Sequence, residues 1–303
     1  MDALPTIAFI TSRRNSRLRE WFLPSLARQL GADNPNIIVI DRFAQESSVE
    51  QFKNLTISIY PAKPSVWSGP HKLTKEDWFS AASYRNTALC ACRTSHIVYA
   101  DDLSVAMPGW WEAAKQAAQL DDTITCGAYQ KVRNLVVNDG IATSYEQPSS
   151  GIDNRMGIMQ EQEGPCRGEW LYGCSLVAPV EALLSVDGWP EQICDGLGFE
   201  DCLMGLVLEN AGYKFRYNKR LFTIESEEAH FEEPPMIRKD FGVSPQDKSH
   251  AALNIAKQSK TFDNGFGDGG IRALRDSILS GQPFPIKGTP EHEWFSGTPL
   301  QDL

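Results

Sequence analysis

A chain of 303 residues with 42% hydrophobic and 22% charged content has the composition of an ordinary globular protein, long enough for one large α/β domain and an extension. The formal charge of -10 leaves no global basic field, so non-specific binding to nucleic acid or to an anionic membrane surface is not expected. The start MDALPTIAFITSRR lacks the features of a secretory leader, and no apolar run approaches the ~18 residues of a spanning helix, so the cytoplasm is the expected compartment. Seven cysteines form an odd set without paired metal spacing and read as reduced thiols.

In chain order, TIAFITS at 6–12 predicts a strand, and the arginine-rich stretch after it predicts a helix carrying Leu18, Phe22, Leu23, Leu26 and Leu30. NIIVIDR at 36–42, LTISIYP at 55–61 and HIVYA at 96–100 predict three more strands. The 36–42 run is apolar on successive residues, as a sheet covered on both faces requires. This β-α-β-α alternation predicts a mostly parallel sheet with ligands at the carboxyl ends of its strands, where Asp41 and Asp101 fall. A helix is expected over 74–93, opened by a capping-box pattern at Thr74 and Asp77. The loop before it holds Trp67, Gly69, His71 and Lys72, which suit either closure over a diphosphate or a plain connector. Polar, glycine-rich 138–169 reads as a mobile lid or acceptor loop, and 168–179 as a strand entered through Trp170.

Chemistry concentrates at three places. Asp101 and Asp102 end an apolar strand ahead of a Pro108-Gly109 turn bearing Trp110 and Trp111. Magnesium or manganese bridging a diphosphate takes only one or two protein carboxylates, although a solvated turn has the same sequence. Glu200 and Asp201 open an apolar run that ends at Asn210-Ala211-Gly212, which places them at a helix N-terminus, where ionised carboxylates are favoured as simple caps. His230 lies in IESEEAHFEEPP at 224–235, which reads as an acidic loop after the last strand, either as a screened cation or as a ligand.

Taken in order, Ser83-Tyr84-Arg85-Asn86, Asp101-Asp102 and Pro108-Gly109 resemble the ARN-x-G, DDD and PG segments of family-2-like GT-A glycosyltransferases. Gly198-Phe199-Glu200-Asp201 likewise resembles the G-(W/F)-x-x-E-D segment of inverting GT-A enzymes. The resemblance spans about residues 5–235. It implies an α/β, Rossmann-like GT-A domain over 1–245, with a nucleotide-sugar half at about 1–110 and an acceptor half at about 111–245, followed by a helical or irregular extension at 246–303. By the same match Thr11, Arg13 and Asp41 cradle the nucleotide base, Arg85 assists the donor, and Asp101 faces the ribose. Gly173 permits close approach of the donor sugar. Asp102 and His230 hold the metal, with Mn2+ favoured over Mg2+ because imidazole suits manganese better. Asp201 is the base that deprotonates the acceptor, and Glu200 binds acceptor hydroxyls. Leu103 departs from the triple-Asp form, which leaves the division of labour between Asp101 and Asp102 open.

The implied activity is metal-dependent, inverting transfer from a nucleotide-sugar, with a UDP-sugar expected, to a hydroxyl acceptor, with a glycan expected. Two rivals stay open. One is a virus-encoded enzyme that glycosylates hydroxymethylated DNA bases through a basic, aromatic-lined channel, which the acidic balance disfavours. The other is a non-catalytic carbohydrate-binding protein on the same fold, using Trp110, Trp111 and Trp170. A nucleotidyltransferase is disfavoured because TSRRNSRLREW stands where a glycine-rich phosphate loop belongs.

Overall fold

The computed structural model describes residues 4–63, 81–148, 163–191, 199–232, 254, 257–262, 264, 266 and 268–281. The expected capping box at Thr74 and Asp77, the residues Trp67, Gly69, His71 and Lys72, Gly198, and most of 246–303 lie outside them.

Strands β1 (Thr6–Thr11), β2 (Ile37–Asp41), β4 (Leu55–Pro61) and β5 (His96–Asp101) run parallel in the order β4-β2-β1-β5. Their apolar residues face two ways. Ala8, Ile10, Ile38 and Ile40 enter one buried cluster, whereas Ile7, Phe9, Ile37 and Val39 enter another on the opposite face. The period-2 alternation of side chains on a strand explains why β1, β2 and β5 carry apolar residues in succession through their centres. The sheet continues through β10 (Ser175–Pro179), β7 (Thr123–Asn138), β11 (Lys214–Ser226) and β6 (Ser104–Ala106), and β3 (Ser48–Phe52) closes the far edge antiparallel to β4. Two short strands stand off this path. β8 (Ile141–Glu146) pairs with β7, and β9 (Gly164–Pro165) pairs with β11.

Helix α1 (Leu23–Ala27), reached through a wide helical turn at Leu18–Phe22, and α3 (Trp110–Ala117) cover one face. Trp110 lies edge-on to Phe22 at 5.9 Å, and Trp111 donates its indole N–H to Asp33 at 2.7 Å, so both tryptophans are core. The opposite face is covered by α2 (Ala81–Ala91), α4 (Val180–Ser185) and α5 (Glu200–Asn210). Helix α7 (Gly270–Leu279) buries Ile271, Leu274 and Ile278 in the same cluster, so the described part of the C-terminal extension packs on the domain core. Among the described residues, no helix is long and apolar enough to cross a membrane.

Three local expectations are corrected. Residues 138–169 do not begin as a loop, because Asp139 and Gly140 both adopt positive φ (45° and 75°) and turn β7 tightly into β8. This is the two-residue hairpin chemistry of Asp-Gly. The stretch 168–179 opens as a single tight helical turn, Gly168–Trp170, and becomes strand only at Ser175. The acidic loop around His230 is instead the end of β11 followed by α6 (Glu227–Glu232).

Helix α5 crosses the Gly168–Trp170 turn with almost no space between backbones. A Cβ on Gly205 would lie 1.8 Å from the Gly168 carbonyl oxygen. Gly205→Ala therefore forces the helix off its seat, and urea unfolding is expected to show a loss of about 1–3 kcal/mol, the usual cost of overpacking.

Candidate active site

The parallel register carries three acidic or hydroxyl side chains to one edge of the sheet. Thr11 stands beside Asp41, and Ile10 stands beside Asp101, at the carboxyl ends of β1, β2 and β5. Asp102 occupies the turn between β5 and β6, where Leu103 takes a left-handed φ of 60° and buries its side chain. The third position of the acidic motif thus belongs to the core. Its backbone N–H donates to the Ser16 carbonyl, tying this turn to the segment after β1.

Two networks grow from the acidic pair. In the first, the Thr11 hydroxyl donates to Asp102 Oδ2 at 2.8 Å and Arg13 Nε donates to Asp102 Oδ1 at 3.3 Å. Arg13 also donates through Nη1 to the His230 carbonyl at 3.1 Å, and its Nη2 lies 3.1 Å from His230 Nδ1. His230 Nδ1 is 2.8 Å from Glu225 Oε1, and the Tyr129 hydroxyl donates a hydrogen bond to the other oxygen of Glu225. In the tautomer with its proton on Nδ1, His230 donates to Glu225.

In the second network, Arg85 projects from the buried helix α2 and donates to both oxygens of Asp101, at 3.2 and 3.1 Å, and to Glu200 Oε1 at 2.8 Å. Its guanidinium carbon sits 4.8 Å from the Trp189 ring. Gly173 makes room for it, since a Cβ there would fall 2.5 Å from that carbon. Asn86, next on the helix, clamps the segment beyond α4 by accepting the Trp189 N–H and donating to Glu191. Asp201 follows Glu200 and accepts the Cys202 backbone N–H at 2.7 Å, as a carboxylate in the first turn of a helix does.

Thr11, Arg13, Asp102 and His230 thus meet in one cluster, and Arg85, Asp101, Gly173 and Glu200 in a second joined to it through the Asp101-Asp102 peptide. The Asp41 carboxylate caps the turn after β2 by accepting the Phe43 N–H at 2.8 Å. Among the described residues, no three of His, Cys, Asp or Glu converge as a closed metal cage.

No family model matches the chain. Among solved structures, S. aureus TarS 1–349 in complex with UDP-GlcNAc is 15% identical with a TM-score of 0.50, over 91% of this chain and 70% of that one. The same protein in complex with UDP gives 13% identity and the same score and coverage. GalNAc-T7 with UDP, GalNAc and Mn2+ aligns over 74% of this chain at 9% identity with a TM-score of 0.48, and this chain spans 43% of its length. The fold is GT-A.

Within this GT-A sheet the electrostatics of the acidic pair are set by burial. Burial raises the Asp101 carboxyl to about 6 against the pull of Arg85, and raises Asp102 to about 7 against Arg13 and Thr11. Burial also works to raise Glu225, but the His230 hydrogen bond, with Lys131 and Tyr129, brings it below its ordinary value. The pH consequence follows by linkage. Folded Asp101 and Asp102 still bind protons at pH values where the unfolded chain, with carboxyls near 3.8, has lost them. Their contribution to stability is present below about 4 and is lost as pH rises through 6 and 7. In metal-free buffer the slope of urea midpoint against pH between 5 and 8 is therefore expected to be less negative in Asp102→Asn than in the wild type.

Glu225, Tyr129 and Trp189 were invisible as site residues in the sequence. Glu225 is one acid among several in IESEEAHFEE, and only its place on β11 distinguishes it from solvated neighbours. Lys63 and Glu191 form a fully buried ion pair at 2.5 Å beneath α2 that no local motif announces.

Proposed function

We propose that the chain is an inverting, metal-assisted glycosyltransferase that moves a sugar from a UDP-sugar to a hydroxyl acceptor, with a glycan as the acceptor class. One observation carries this reading. A GT-A sheet edge brings Asp101, Asp102, Arg85, Glu200 and His230 into two joined networks, with Asp201 next to Glu200 at the start of α5. The fold's likeness to TarS, which binds UDP and UDP-GlcNAc in its structures, supports the choice of nucleotide.

The donor set fits a divalent cation that borrows most of its ligands from a diphosphate. Asp102 offers oxygen, and His230, whose ring is oriented by the contact of Nδ1 with Glu225, offers its other ring nitrogen. Mn2+ is the preferred ion and Mg2+ the alternative. When bound, such an ion neutralises charge on the departing diphosphate. The residues do the rest. Thr11 and Asp41 frame the base pocket at the ends of β1 and β2, and Arg85 fixes Asp101 toward the ribose. Glu200 binds acceptor hydroxyls, and Asp201 takes the proton of the attacking hydroxyl in a single displacement that inverts the anomeric carbon. Trp110 and Trp111 are buried in the core, which removes two of the three aromatic platforms a carbohydrate-binding rival would use.

Incubation with UDP-, GDP- and dTDP-sugars, with and without Mn2+, is expected to release UDP from one donor only when the metal is present. Absence of release from every donor in every metal would sink the reading. The anomeric configuration of the product, read by NMR, tests inversion, and glycan and hydroxymethylated-DNA acceptors offered side by side test the acceptor class.

A further inference from the structure

We infer that Arg13 is an internal cation that competes with the divalent metal for Asp102 and yields when a diphosphate offers its guanidinium another partner. This rests on the metal reading above and goes beyond it. The family resemblance implies Arg13 at the nucleotide base; the geometry brings it to both residues assigned to the metal. Its side chain is 3% exposed, so it is a built part of this cluster rather than a surface cation folded back.

The contacts define its position closely. Nε donates to Asp102 Oδ1 at 3.3 Å, Nη1 donates to the His230 carbonyl at 3.1 Å, and Nη2 lies 3.1 Å from His230 Nδ1. The guanidinium is ion-paired with Asp102. An ion ligated by Asp102 would place its own charge beside it. A guanidinium does not shed its proton to relieve that repulsion, so it must move. Its planar fork suits phosphate oxygens, which a nucleotide diphosphate presents when a donor binds. Metal and diphosphate affinities are then coupled through Arg13, and the coupling is reciprocal. Without a donor, metal binds weakly because Asp102 already holds a cation.

The direction of this effect separates it from ordinary positioning. An arginine that merely braced the site would weaken metal binding when removed, whereas a competing cation strengthens it. The test is an EPR titration of free Mn2+ against the full chain, with and without UDP, in wild type, Arg13→Met and Arg13→Met/Asp102→Asn. Without UDP, Arg13→Met is expected to bind Mn2+ about tenfold more tightly than wild type, equivalent to about 1.4 kcal/mol. The double variant is expected to lose that gain, and UDP is expected to raise Mn2+ affinity by a larger factor in wild type than in Arg13→Met. Thermal melting verifies folding, and Arg13→Gln, also uncharged, replaces the methionine variant should that one not fold. Equal or weaker binding by the uncharged variant, where wild type does bind Mn2+, overturns the competition and leaves the metal reading standing. Failure of both proteins to bind Mn2+ even with UDP removes the metal reading, and the competition with it.

Discussion

Asp201→Asn is expected to bind the UDP-sugar as the wild type does and to transfer the sugar about 10²–10⁴ times more slowly, the usual contribution of a positioned general base. The substitution isolates the proton from everything else the side chain does. Asparagine keeps an oxygen to accept the Cys202 N–H, so the first turn of α5 retains its bond. It is also nearly isosteric, so Glu200 keeps its place against Arg85. What disappears is the ability to accept a proton from the attacking hydroxyl. A helix-capping role alone predicts near-normal turnover, because loss of charge at a helix N-terminus costs only about 0.3–1 kcal/mol of stability. The measurement is therefore paired: donor affinity by calorimetry and transfer rate by UDP release with acceptor. Full activity in Asp201→Asn would remove Asp201 from the base role.

How far the fold and this site could be read in advance follows from which forces act locally. β1, β2 and β5 were legible because a doubly covered parallel sheet demands apolar residues on both faces, and β4 because Leu55, Ile57 and Ile59 alternate with polar residues. β3 was not, since SVEQF is largely exposed and lies on a sheet edge, where little apolar surface is buried. The β7-β8 hairpin was a misread signal rather than an absent one. Asp139-Gly140 between strand-forming residues is the commonest short-range mark of a tight hairpin, yet the surrounding polar, glycine-rich stretch suggested a loop. Trp110 and Trp111 looked like sugar platforms because sequence does not reveal which face of a helix meets a sheet. At the site, residue order along the chain was informative and pairing was not. Arg13 meets Asp102 across 89 positions and His230 across 217, so nothing near Arg13 foretold those neighbours. Glu225 depends on the same kind of non-local closure, through Tyr129 and Lys131 on β7.

Arg85→Met is expected to cost about 3–5 kcal/mol of folding stability, the range seen when one partner of a buried ion pair is removed. The side chain is 3% exposed and is the shared cation of two carboxylates, Asp101 and Glu200, so its loss leaves two charges uncompensated. Its own pKa is raised, with burial opposing and Asp101 and Glu200 overcoming it. Asp101, already lifted by burial, loses the pull that restrains it and rises further. The molecule then has one cheap response, which is to keep Asp101 protonated at neutral pH. Stability of the variant should therefore recover in part at pH 5, where that proton is available, in contrast to a packing defect, which would be indifferent to pH. Arg85→Lys separates charge from shape. An ammonium can neutralise one carboxylate at a time but lacks the fork that spans Asp101 and Glu200 while stacking near Trp189. It is expected to recover part of the stability while donor transfer stays impaired, because Glu200 and Asp101 would no longer be held in one fixed relation. Urea unfolding at pH 5 and pH 8, alongside UDP release, reads both effects. A loss below about 1 kcal/mol in Arg85→Met, the level of an exposed ion pair, would mean that the two carboxylates find water or another cation, and that the network is less buried than its geometry requires.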